Sequence, residues 1–302
     1  MEFSLIIVNY NLSDEVVSLA KQLLPLSRNG NIEIIFVDNN SSDNFKNKLE
    51  VERLVNQNNL YFIFNSENVG FGNACNIGAK QAKGKVLFFV NPDVKIETDI
   101  FTKVTELYKK NPNLAITGPL IKHPGKKYDL SAGFNQGFLI ELLNIIFVGR
   151  LFESMLLSQK VINLNESTLP VTWILGAALF IKRKIFNEIG GFDKDYFLFY
   201  EEMDLCYRVR KLGFDVHYYP QISVHHIGSA TVKKDYSFFT RQFYKSKMIF
   251  YKKNFSKSYF VAMKTIIILQ LISQICLWTL LLPVNKNKSV QKLDGLFKLL
   301  IG

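Results

Sequence analysis

Residues 32–38, with the sequence Ile-Glu-Ile-Ile-Phe-Val-Asp, form an almost entirely apolar run that stops at a carboxylate. Comparable runs lie at residues 3–9, 61–64 and 86–90. Each run is too short for a typical helix, and its lack of polar alternation indicates a strand that is buried on both faces. The sequence therefore predicts a mostly parallel sheet and an α/β fold.

Helical patterns separate these strands. Residues 13–24 begin with a serine suited to a helix N-cap, and residues 73–82 follow a glycine-containing segment. Helices that connect parallel strands cover both faces of the sheet. Ligands of such sheets bind at the carboxyl ends of the strands, so we expect one polar edge to collect the side chains that follow the runs. These are Asn9, Asp38, Asn65 and Asn91 to Asp93.

The second half of the chain is less regular. Residues 121–170 show no clear period, and we interpret them as a variable insert. Regular structure is predicted again at residues 171–181. A glycine turn at Gly190-Gly191, a helix at residues 201–212 and a short strand ending near His226 follow.

Charge is distributed unevenly along the 302 residues. The net charge is +11, and from Lys233 onward the chain has thirteen lysines and arginines but only two aspartates, so this segment accounts for the whole excess. A neutral body argues against nucleic-acid binding by the globular part. A basic tail rich in aromatic residues suits an anionic lipid surface.

The cysteines and the start of the chain indicate a reducing compartment. Cys75, Cys206 and Cys276 form no CxxC pair, so the sequence predicts neither a disulfide framework nor a thiolate zinc site. The first apolar run is too short for a signal peptide and lacks a basic start. We therefore expect the protein to act in the cytosol or at the cytoplasmic face of a membrane.

The tail contains one long uncharged stretch. Residues 265–282 would extend for roughly 27 Å as a helix, close to the thickness of a bilayer core. Lysines flank the stretch on both sides, so the positive-inside rule gives a single span no preferred orientation. We expect a peripheral in-plane or re-entrant helix, or a hairpin with residues 293–301, rather than a single span. A buried core helix or an oligomer helix is the structural alternative.

Two motifs suit nucleotide binding. In Val37-Asp38-Asn39-Asn40-Ser41, the carboxylate of Asp38 could accept hydrogen bonds from a base or ribose, although the same residues also form ordinary turns. In the segment 68–78, two glycines at a helix start would let backbone N–H groups approach a phosphate. The segment lacks the GxGxxG spacing, which argues against a dinucleotide.

Three further motifs suit metal binding and proton transfer. Asp93 follows a predicted strand and could hold a hard divalent cation. Carboxylates crowd together in Tyr200-Glu201-Glu202-Met203-Asp204, which favours a functional role, although helix-dipole matching and an Asp204–Arg208 ion pair would explain part of the cluster. At most one residue of His225-His226 should face inward, since neighbours on a strand point to opposite faces.

Taken in order, these motifs resemble the inverting family 2 glycosyltransferases of the GT-A fold, especially bacterial rhamnosyltransferases of cell-surface polysaccharide assembly. The resemblance covers residues 4–231. It implies a Rossmann-like GT-A domain at residues 1–232, with a nucleotide-binding half at 1–95 and an acceptor and catalytic half at 96–232. The remaining residues, 233–302, form the basic helical tail.

The resemblance also implies roles for individual residues. Asp93 is the metal-binding member of the Asp-x-Asp motif and His226 is a further ligand, with Mg²⁺ or Mn²⁺ as the cation. Glu202 stands at the position of the general base, with Glu201 and Asp204 as alternatives because aspartate is commoner there. Asn91 replaces the first carboxylate of Asp-x-Asp. The implied donor contacts are Asn9, Asn11, Asp38, Asn40, Asn68, Gly70, Phe71, Asn76 and Asn91.

The function so implied is transfer of a sugar from a nucleoside-diphosphate sugar, with dTDP-rhamnose as one candidate, to a lipid-linked or other saccharide acceptor. The acceptor is expected to contact residues 121–170. Two alternatives stay open: a catalytically inactive membrane-associated scaffold with the same fold, and a sugar nucleotidyltransferase. The latter is disfavoured because no glycine-rich loop bearing Arg and Lys follows the first strand.

Overall fold

A computed structural model describes residues 1–28, 30–43, 45, 57–96, 99–122, 131–134, 137–162, 168–226 and 235–301. The chain divides into two compact units. The sheet unit comprises Met1–Phe134, Leu157–Lys194 and Glu202–Gly228. The helical unit comprises Asn135–Leu156, Asp195–Glu201 and Ser229–Gly302. The boundary expected between residues 232 and 233 stays a prediction.

Strands and helices follow one another along the chain. The strands are β1 (Phe3–Asn9), β2 (Ile32–Asp38), β3 (Leu60–Phe64), β4 (Val86–Val90), β5 (Val94–Ile96), β6 (Leu114–Lys122), β7 (Ala132–Gly133), β8 (Leu169–Pro170), β9 (Trp173–Ile174), β10 (Ala178–Lys182) and β11 (Asp215–His226). The helices are α1 (Ser13–Ser27), α2 (Phe71–Gln81), α3 (Ile100–Lys110), α4 (Phe138–Ile145), α5 (Gly149–Ile162), α6 (Arg183–Glu188), α7 (Glu201–Lys211), α8 (Tyr236–Asn254), α9 (Lys257–Leu280) and α10 (Lys286–Ile301).

The main sheet of the sheet unit is mixed. Its strand order is β3-β2-β1-β4-β10-β6-β11-β5, and β8 pairs with β11. The four strands β3, β2, β1 and β4 are parallel, as are β6 and β11, whereas β10 runs antiparallel between β4 and β6. This arrangement confirms the predicted α/β fold with a mostly parallel sheet.

Helices cover both faces of this sheet. Alternate residues of one strand enter different cores: Ile34 packs with residues of α1 and α3, and Ile35 packs with residues of α2 and α6. Both cores are apolar, which explains the continuous apolar runs. Gly78 allows α2 to lie close to the sheet, since a Cβ there would be 2.7 Å from Ile6 Cγ2. The close approach of α2 fixes the loop before it at the strand ends.

Two sequence interpretations need correction. The strand that ends at His226 is not short: β11 has 12 residues. Pro220 lies where its register with β6 shifts, because proline lacks the donor that a regular ladder needs. Within residues 121–170, α4 and α5 are regular helices. Large apolar side chains of α4 are exposed, among them Leu139, so no amphipathic period marks the helix.

Three long helices, α8, α9 and α10, form most of the helical unit. A buried polar cluster joins α4 to α8 and α9: Lys247 donates to Glu141 and to Gln270, and Gln270 Nε2 donates to the Glu141 backbone carbonyl over 2.6 Å. Among the described residues, α9 is the one helix long and apolar enough to cross a membrane, judged by length and composition. Its most apolar 18-residue window has a mean hydropathy of 1.9, and 28% of that window is buried.

Candidate active site

The ends of β1 and β2 are joined by side-chain hydrogen bonds. Asn9 Nδ2 donates to Asp38 Oδ1 over 2.8 Å and to Ser41 Oγ over 3.0 Å. Asp38 Oδ2 also accepts the backbone N–H of Ser41 over 3.2 Å. Asn9 and Asp38 are buried. The parallel register pairs Asn9 with Asp38, so both residues reach the same sheet edge because their strands are aligned. Asn9 therefore orients the Asp38 carboxylate.

Asn39 is a buried residue whose importance the sequence did not reveal. Its Nδ2 donates to Asn68 Oδ1 over 2.7 Å, and its Oδ1 accepts from Asn65 Nδ2 over 3.0 Å and from the Val69 N–H over 3.1 Å. Asn68 Oδ1 in turn accepts the Gly70 N–H over 3.0 Å. One amide thus holds the loop before α2 against the end of β2. Its only sequence signal is its position beside Asp38.

Asn11 and Asn40 shape the backbone at the same edge. Their φ angles are 57° and 63°, in the left-handed region that asparagine tolerates better than most residues. Asn11 Oδ1 accepts the Ser42 N–H over 2.7 Å, and Asn40 is exposed. Asn11 therefore stabilises a turn, and the exposed side chain of Asn40 is accessible to a ligand.

Asn76 fastens α2 to the predicted glycine turn. Its amide exchanges two hydrogen bonds with the backbone of Phe192, of 2.8 and 2.9 Å. Gly191 has φ +76°, and a Cβ at that position would collide with Asn76 Oδ1. The Asn76 amide thus holds α2 against the glycine turn. The ring of Phe71, at the start of α2, packs edge-on against the ring of Phe192, with 6.5 Å between the ring centroids.

The two predicted metal ligands lie together. His226 Nε2 is 3.0 Å from Asp93 Oδ1, and both side chains are largely buried. The cause is strand pairing: β5 begins directly after Asp93 and runs antiparallel to β11, with Val94 opposite His226. His225, the neighbouring histidine, is exposed, as expected for alternation along a strand. Asn91 is half-buried at the end of β4.

The Asp93–His226 pair offers a carboxylate oxygen and an imidazole nitrogen. Among the described residues, no group of three or more His, Cys, Asp or Glu side chains could hold a metal ion. Mg²⁺ and related cations commonly take one or two protein ligands and complete their shell with water and substrate phosphate oxygens. The pair therefore fits a divalent cation that shares its coordination with a phosphate-containing ligand.

Glu202 is a buried carboxyl group near the α2 loop. Burial raises the pKa of Glu202 above its ordinary value of 4.5, and backbone N–H donors, including that of Gly176, oppose the shift only in part. Among the described residues, Glu202 Oε2 has no hydrogen-bond partner. A Cβ on Gly176 would be 3.6 Å from both Glu202 Cβ and Phe71 Cε1, so Gly176 lies between them. A buried carboxyl with spare acceptor capacity is suited to taking a proton.

The other two carboxylates of the cluster have different surroundings. Asp204 Oδ2 accepts from Arg208 Nε over 2.6 Å, and Arg208 also donates to the carbonyl groups of Ile189 and Gly191, so this predicted ion pair holds the glycine turn. Glu201 is buried and belongs to the helical unit. The roles of both as alternative bases stay predictions.

The backbone immediately before α7 is strained. Phe199 and Tyr200 have φ angles of 68° and 67°. Bulky residues rarely adopt this left-handed conformation, which costs on the order of 1 to 2 kcal/mol each. Strain of this kind clusters at functional sites. The backbone that leads into α7, the helix of the carboxylates, therefore lowers the free energy of unfolding.

Comparison with known families and proteins shows the family to which the chain belongs. The family model for glycosyl transferase family 2 matches residues 4–189. This span includes Asp38 and Asp93 and ends before Glu202 and His226. The chain is 24% identical over 242 residues to the N-acetylglucosaminyl-diphospho-decaprenol L-rhamnosyltransferase of Mycobacterium tuberculosis, covering 75% of this chain and 76% of that protein.

Two further relatives have comparable similarity. The low-salt glycan biosynthesis hexosyltransferase Agl10 of Haloferax volcanii is 24% identical over 221 residues, which cover 71% of this chain and 64% of that protein. The dTDP-rhamnosyl transferase RfbF of Shigella flexneri is 27% identical over 236 residues, which cover 76% of this chain and 70% of that protein. The chain therefore spans just under two thirds of the Haloferax relative.

Solved structures share the fold. The mannosyltransferase PcManGT from Pyrobaculum calidifontis, in complex with GDP-Man and Mn²⁺, has a TM-score of 0.60 and 13% identity, over 99% of this chain and 87% of that one. GalNAc-T7 with UDP, GalNAc and Mn²⁺ has a TM-score of 0.60 and 19% identity, over 83% of this chain and 50% of that one. These similarities confirm the predicted GT-A fold. The chain belongs to glycosyl transferase family 2 and is a glycosyltransferase.

Proposed function

We propose that this glycosyltransferase moves a sugar from a nucleoside-diphosphate sugar to a lipid-linked or other saccharide acceptor in polysaccharide synthesis, with inversion at the anomeric carbon. The observation that carries the proposal is Glu202, whose buried carboxyl group has a raised pKa and a side-chain oxygen without a partner among the described residues. Asp38, Asp93 and His226 belong to the same compact unit.

The donor site is formed at the strand ends. Asp38 contacts the nucleoside, since its carboxylate is an acceptor for base or ribose donors. The loop held by Asn39 presents Gly70 and Phe71 at the start of α2, where no side chain caps the helix among the described residues. Helix N-terminal N–H groups bind phosphate well. Asn9 and Asn76 then act by holding this site in shape.

Asp93 and His226 would hold the divalent cation, Mg²⁺ or Mn²⁺. When bound, such a cation neutralises negative charge on the departing diphosphate. The structures of PcManGT and GalNAc-T7 both contain Mn²⁺, which supports a cation in this fold. The lone carboxylate at Asp93, with Asn91 in place of a second one, is consistent with a cation that arrives with the donor.

Glu202 is the general base in this proposal. The acceptor hydroxyl oxygen attacks the anomeric carbon, the bond from that carbon to the donor phosphate oxygen breaks, and the hydroxyl proton passes to the Glu202 carboxylate. One displacement inverts the configuration. A raised pKa makes Glu202 a stronger base than an exposed glutamate, provided that the pH leaves it ionised.

The relatives suggest which substrates to test first. Two relatives are rhamnosyltransferases, the dTDP-rhamnosyl transferase RfbF and the N-acetylglucosaminyl-diphospho-decaprenol L-rhamnosyltransferase. We therefore place dTDP-rhamnose first among donors and a polyprenyl-diphosphate saccharide first among acceptors. Identity near 25% leaves the pocket free to differ, so UDP and GDP sugars belong in the same panel.

The test is donor turnover by the purified full chain. We expect nucleoside diphosphate release from one donor in the panel, stimulated by Mg²⁺ or Mn²⁺ and increased by an acceptor. Asp93→Ala should abolish the stimulation, whereas Asp99→Ala, which removes an exposed carboxylate from the same unit, should not. Binding of a donor without turnover would support an inactive scaffold instead, and release of pyrophosphate from a nucleoside triphosphate would indicate a nucleotidyltransferase.

We also propose that the helical unit binds the cytoplasmic face of the membrane peripherally. The exposed apolar side chains of this unit include Leu139, Leu151, Ile268 and Leu269. The opposite face of α9 is buried within the unit, and Gln270 on that face bonds to Glu141. Such packing along α9 favours an in-plane helix over a single span. Surrounding lysines supply attraction to anionic lipid.

Vesicle sedimentation tests this location. We expect binding to anionic vesicles that exceeds binding to zwitterionic vesicles and falls when Leu139 and Leu151 are both changed to Gln. Leu212→Gln, at an exposed leucine of the sheet unit, is the matched control and should leave binding unchanged. Equal binding by all three proteins, or binding to RNA that outcompetes the vesicles, would contradict the proposal.

A further inference from the structure

The helical unit contains a cavity of its own. Its volume is about 400 Å³, and all of its lining residues belong to this unit. That volume is within the range of about 300–1,000 Å³ typical of small-ligand sites. Proposed catalytic residues of the sheet unit, such as Asp93 and Glu202, do not line it. The cavity is therefore a candidate binding site in addition to the donor site.

Aromatic rings dominate the lining. They include Phe239 and Phe243 of α8 and Trp278 of α9. These three residues are only partly buried, so their rings remain accessible from the cavity. Partly exposed aromatic rings favour a ligand with an apolar face and a polar perimeter, because a fully hydrated ligand would gain little from contact with them.

Amide groups supply the polar part of the lining. Gln274 Oε1 accepts from Trp278 Nε1 over 3.0 Å, which fixes the amide next to the ring. Within the described part of the chain, the Gln274 Nε2 and the side-chain amide of Asn144 make no hydrogen bond, and both residues are half-buried lining residues. Each amide thus retains donors for a bound molecule.

The cations of the lining already have oxygen neighbours. Lys292 Nζ donates to Thr240 Oγ1 over 3.0 Å. Lys247 donates to Glu141 and Gln270, and Tyr251 donates to Glu141 over 2.9 Å. This cluster fixes the cavity wall before any ligand binds. It also compensates the charge of Lys247 through Glu141, so this lysine is a poor partner for an anion, whereas Thr240 is a neutral partner of Lys292.

We propose that this cavity binds a saccharide ring of the acceptor, an assignment that rests on the proposed glycosyl transfer. The C–H face of a sugar ring packs on Trp278 and Phe243, while its hydroxyl groups accept from the amides of Gln274 and Asn144. An alkyl chain of a lipid fits the polar part badly, since it would bury these amides without partners.

The chain provides a reporter for this test, because it has two tryptophans, Trp173 and Trp278. Trp173 is buried in the sheet unit, so Trp173→Phe leaves Trp278 as the single emitter. The full chain in a detergent without a sugar head group is titrated with methyl glycosides of rhamnose, glucose and N-acetylglucosamine up to about 50 mM, a range that covers millimolar dissociation constants.

We expect one glycoside to change Trp278 emission with saturation. Gln274→Leu should weaken its binding about fivefold, the effect of losing one hydrogen bond of about 1 kcal/mol. Asn144→Ala, on a different helix, should also weaken binding and leaves the tryptophan surroundings intact. Gln81→Leu, at an exposed glutamine of the sheet unit, should have no effect.

The inference would be overturned by no saturable response to any glycoside, or by a response that both cavity variants leave unchanged. A response to octanol alone would indicate an alkyl-chain site and would also overturn it. Because the titration contains no donor, its outcome is separate from the transfer assay. Saccharide binding without transfer would contradict the proposed function alone, and transfer without saccharide binding would contradict this inference alone.

Discussion

Glu202 of the sheet unit and Glu141 of the helical unit are both buried glutamates, but their surroundings act in opposite directions. Burial raises the pKa of Glu202, and the backbone donors around it compensate only in part. Burial also acts to raise the pKa of Glu141, but the charge of Lys247 and hydrogen bonds from Gln270, Lys247 and Tyr251 outweigh it and lower the pKa. The two units thus treat the same residue type differently.

The difference separates a structural carboxylate from one available for chemistry. Glu141 accepts hydrogen bonds from three side chains and holds helices together, so both of its carboxylate oxygens have partners. Glu202 keeps an oxygen without a partner among the described residues, at a cost to the folded state. A carboxyl maintained at such a cost is a candidate for function, since buried groups of purely structural value are normally saturated.

The largest expected effect is on catalysis. Glu202→Gln should lower kcat by about 10²- to 10⁴-fold, because an amide cannot accept the proton of the acceptor hydroxyl. Transfer is measured with saturating donor and acceptor, and Glu188→Gln, at an exposed glutamate, is the control. If Glu202→Gln keeps more than about a tenth of the activity, the base is another carboxylate, and Glu201→Gln and Asp204→Asn become the next variants to measure.

The next effect is on stability in the helical unit. Lys247→Met should lower the free energy of unfolding by about 3 to 5 kcal/mol, because it leaves the buried Glu141 carboxylate without its counter-charge. Lys245→Met, at an exposed lysine of the same helix, should change it by less than about 0.5 kcal/mol. Urea denaturation followed by circular dichroism measures both. If Lys247→Met and Lys245→Met unfold at the same urea concentration, the Lys247–Glu141 pair does not stabilise the helical unit as stated.

The pH dependence of stability should have opposite signs at the two glutamates. The Glu202 pKa is raised on folding, so its contribution is present below the unfolded value near 4.5 and is lost as the pH rises through the folded pKa. Above that pH, Glu202→Gln should therefore stabilise the protein relative to wild type, because it removes the cost of burying the ionised carboxylate.

The Glu141 pKa is lowered on folding, so its contribution is present above the unfolded value near 4.5 and is lost as the pH falls through the folded pKa. Glu141→Gln should therefore destabilise the protein by its full amount above pH 4.5, and the destabilisation should shrink as the pH falls through the folded pKa. Thermal unfolding of wild type and both variants across a pH series measures the two trends. If the stabilities of Glu202→Gln and Glu141→Gln, relative to wild type, changed with pH in the same direction, the opposite pKa shifts of the two glutamates would be refuted.

The smallest expected effect concerns Gly176. An added Cβ would lie 3.6 Å from Glu202 Cβ, an ordinary contact, so Gly176→Ala should fold with a stability change below about 0.5 kcal/mol. The extra methyl group would bury the carboxyl further and should therefore move the acidic limb of the pH–rate profile to higher pH. An unchanged limb would mean that the Glu202 carboxyl is already fully desolvated or is not the base.

The sequence predicted much of the parallel half of the sheet. Continuous apolar runs are diagnostic when both faces of a strand are buried, and β1, β2 and β4 were placed at their observed residues for that reason. The Asp204–Arg208 ion pair was also predictable, since residues four apart on a helix are neighbours. Such features depend on contacts that are local along the chain.

The helices α4 and α5 were not predicted. Large apolar side chains are exposed on both helices, among them Leu139 and Leu142 of α4 and Leu151 and Met155 of α5, so the periodic signal of an amphipathic helix is missing. The role of Asn39 was equally hidden, because its partners lie 26 to 31 residues away and depend on how β2, β3 and α2 pack.

By itself, the sequence determined the α/β class, the residues that form β1, β2 and β4, and the identity of the polar residues that follow them. These depend on the period and length of apolar runs, which neighbouring residues set. Tertiary structure alone decided that His226 meets Asp93, through the register of β5 with β11, and that Glu202 is buried while Asp204 binds Arg208. Burial and partner distance depend on residues far apart in the chain, and they fix which carboxyl can take a proton.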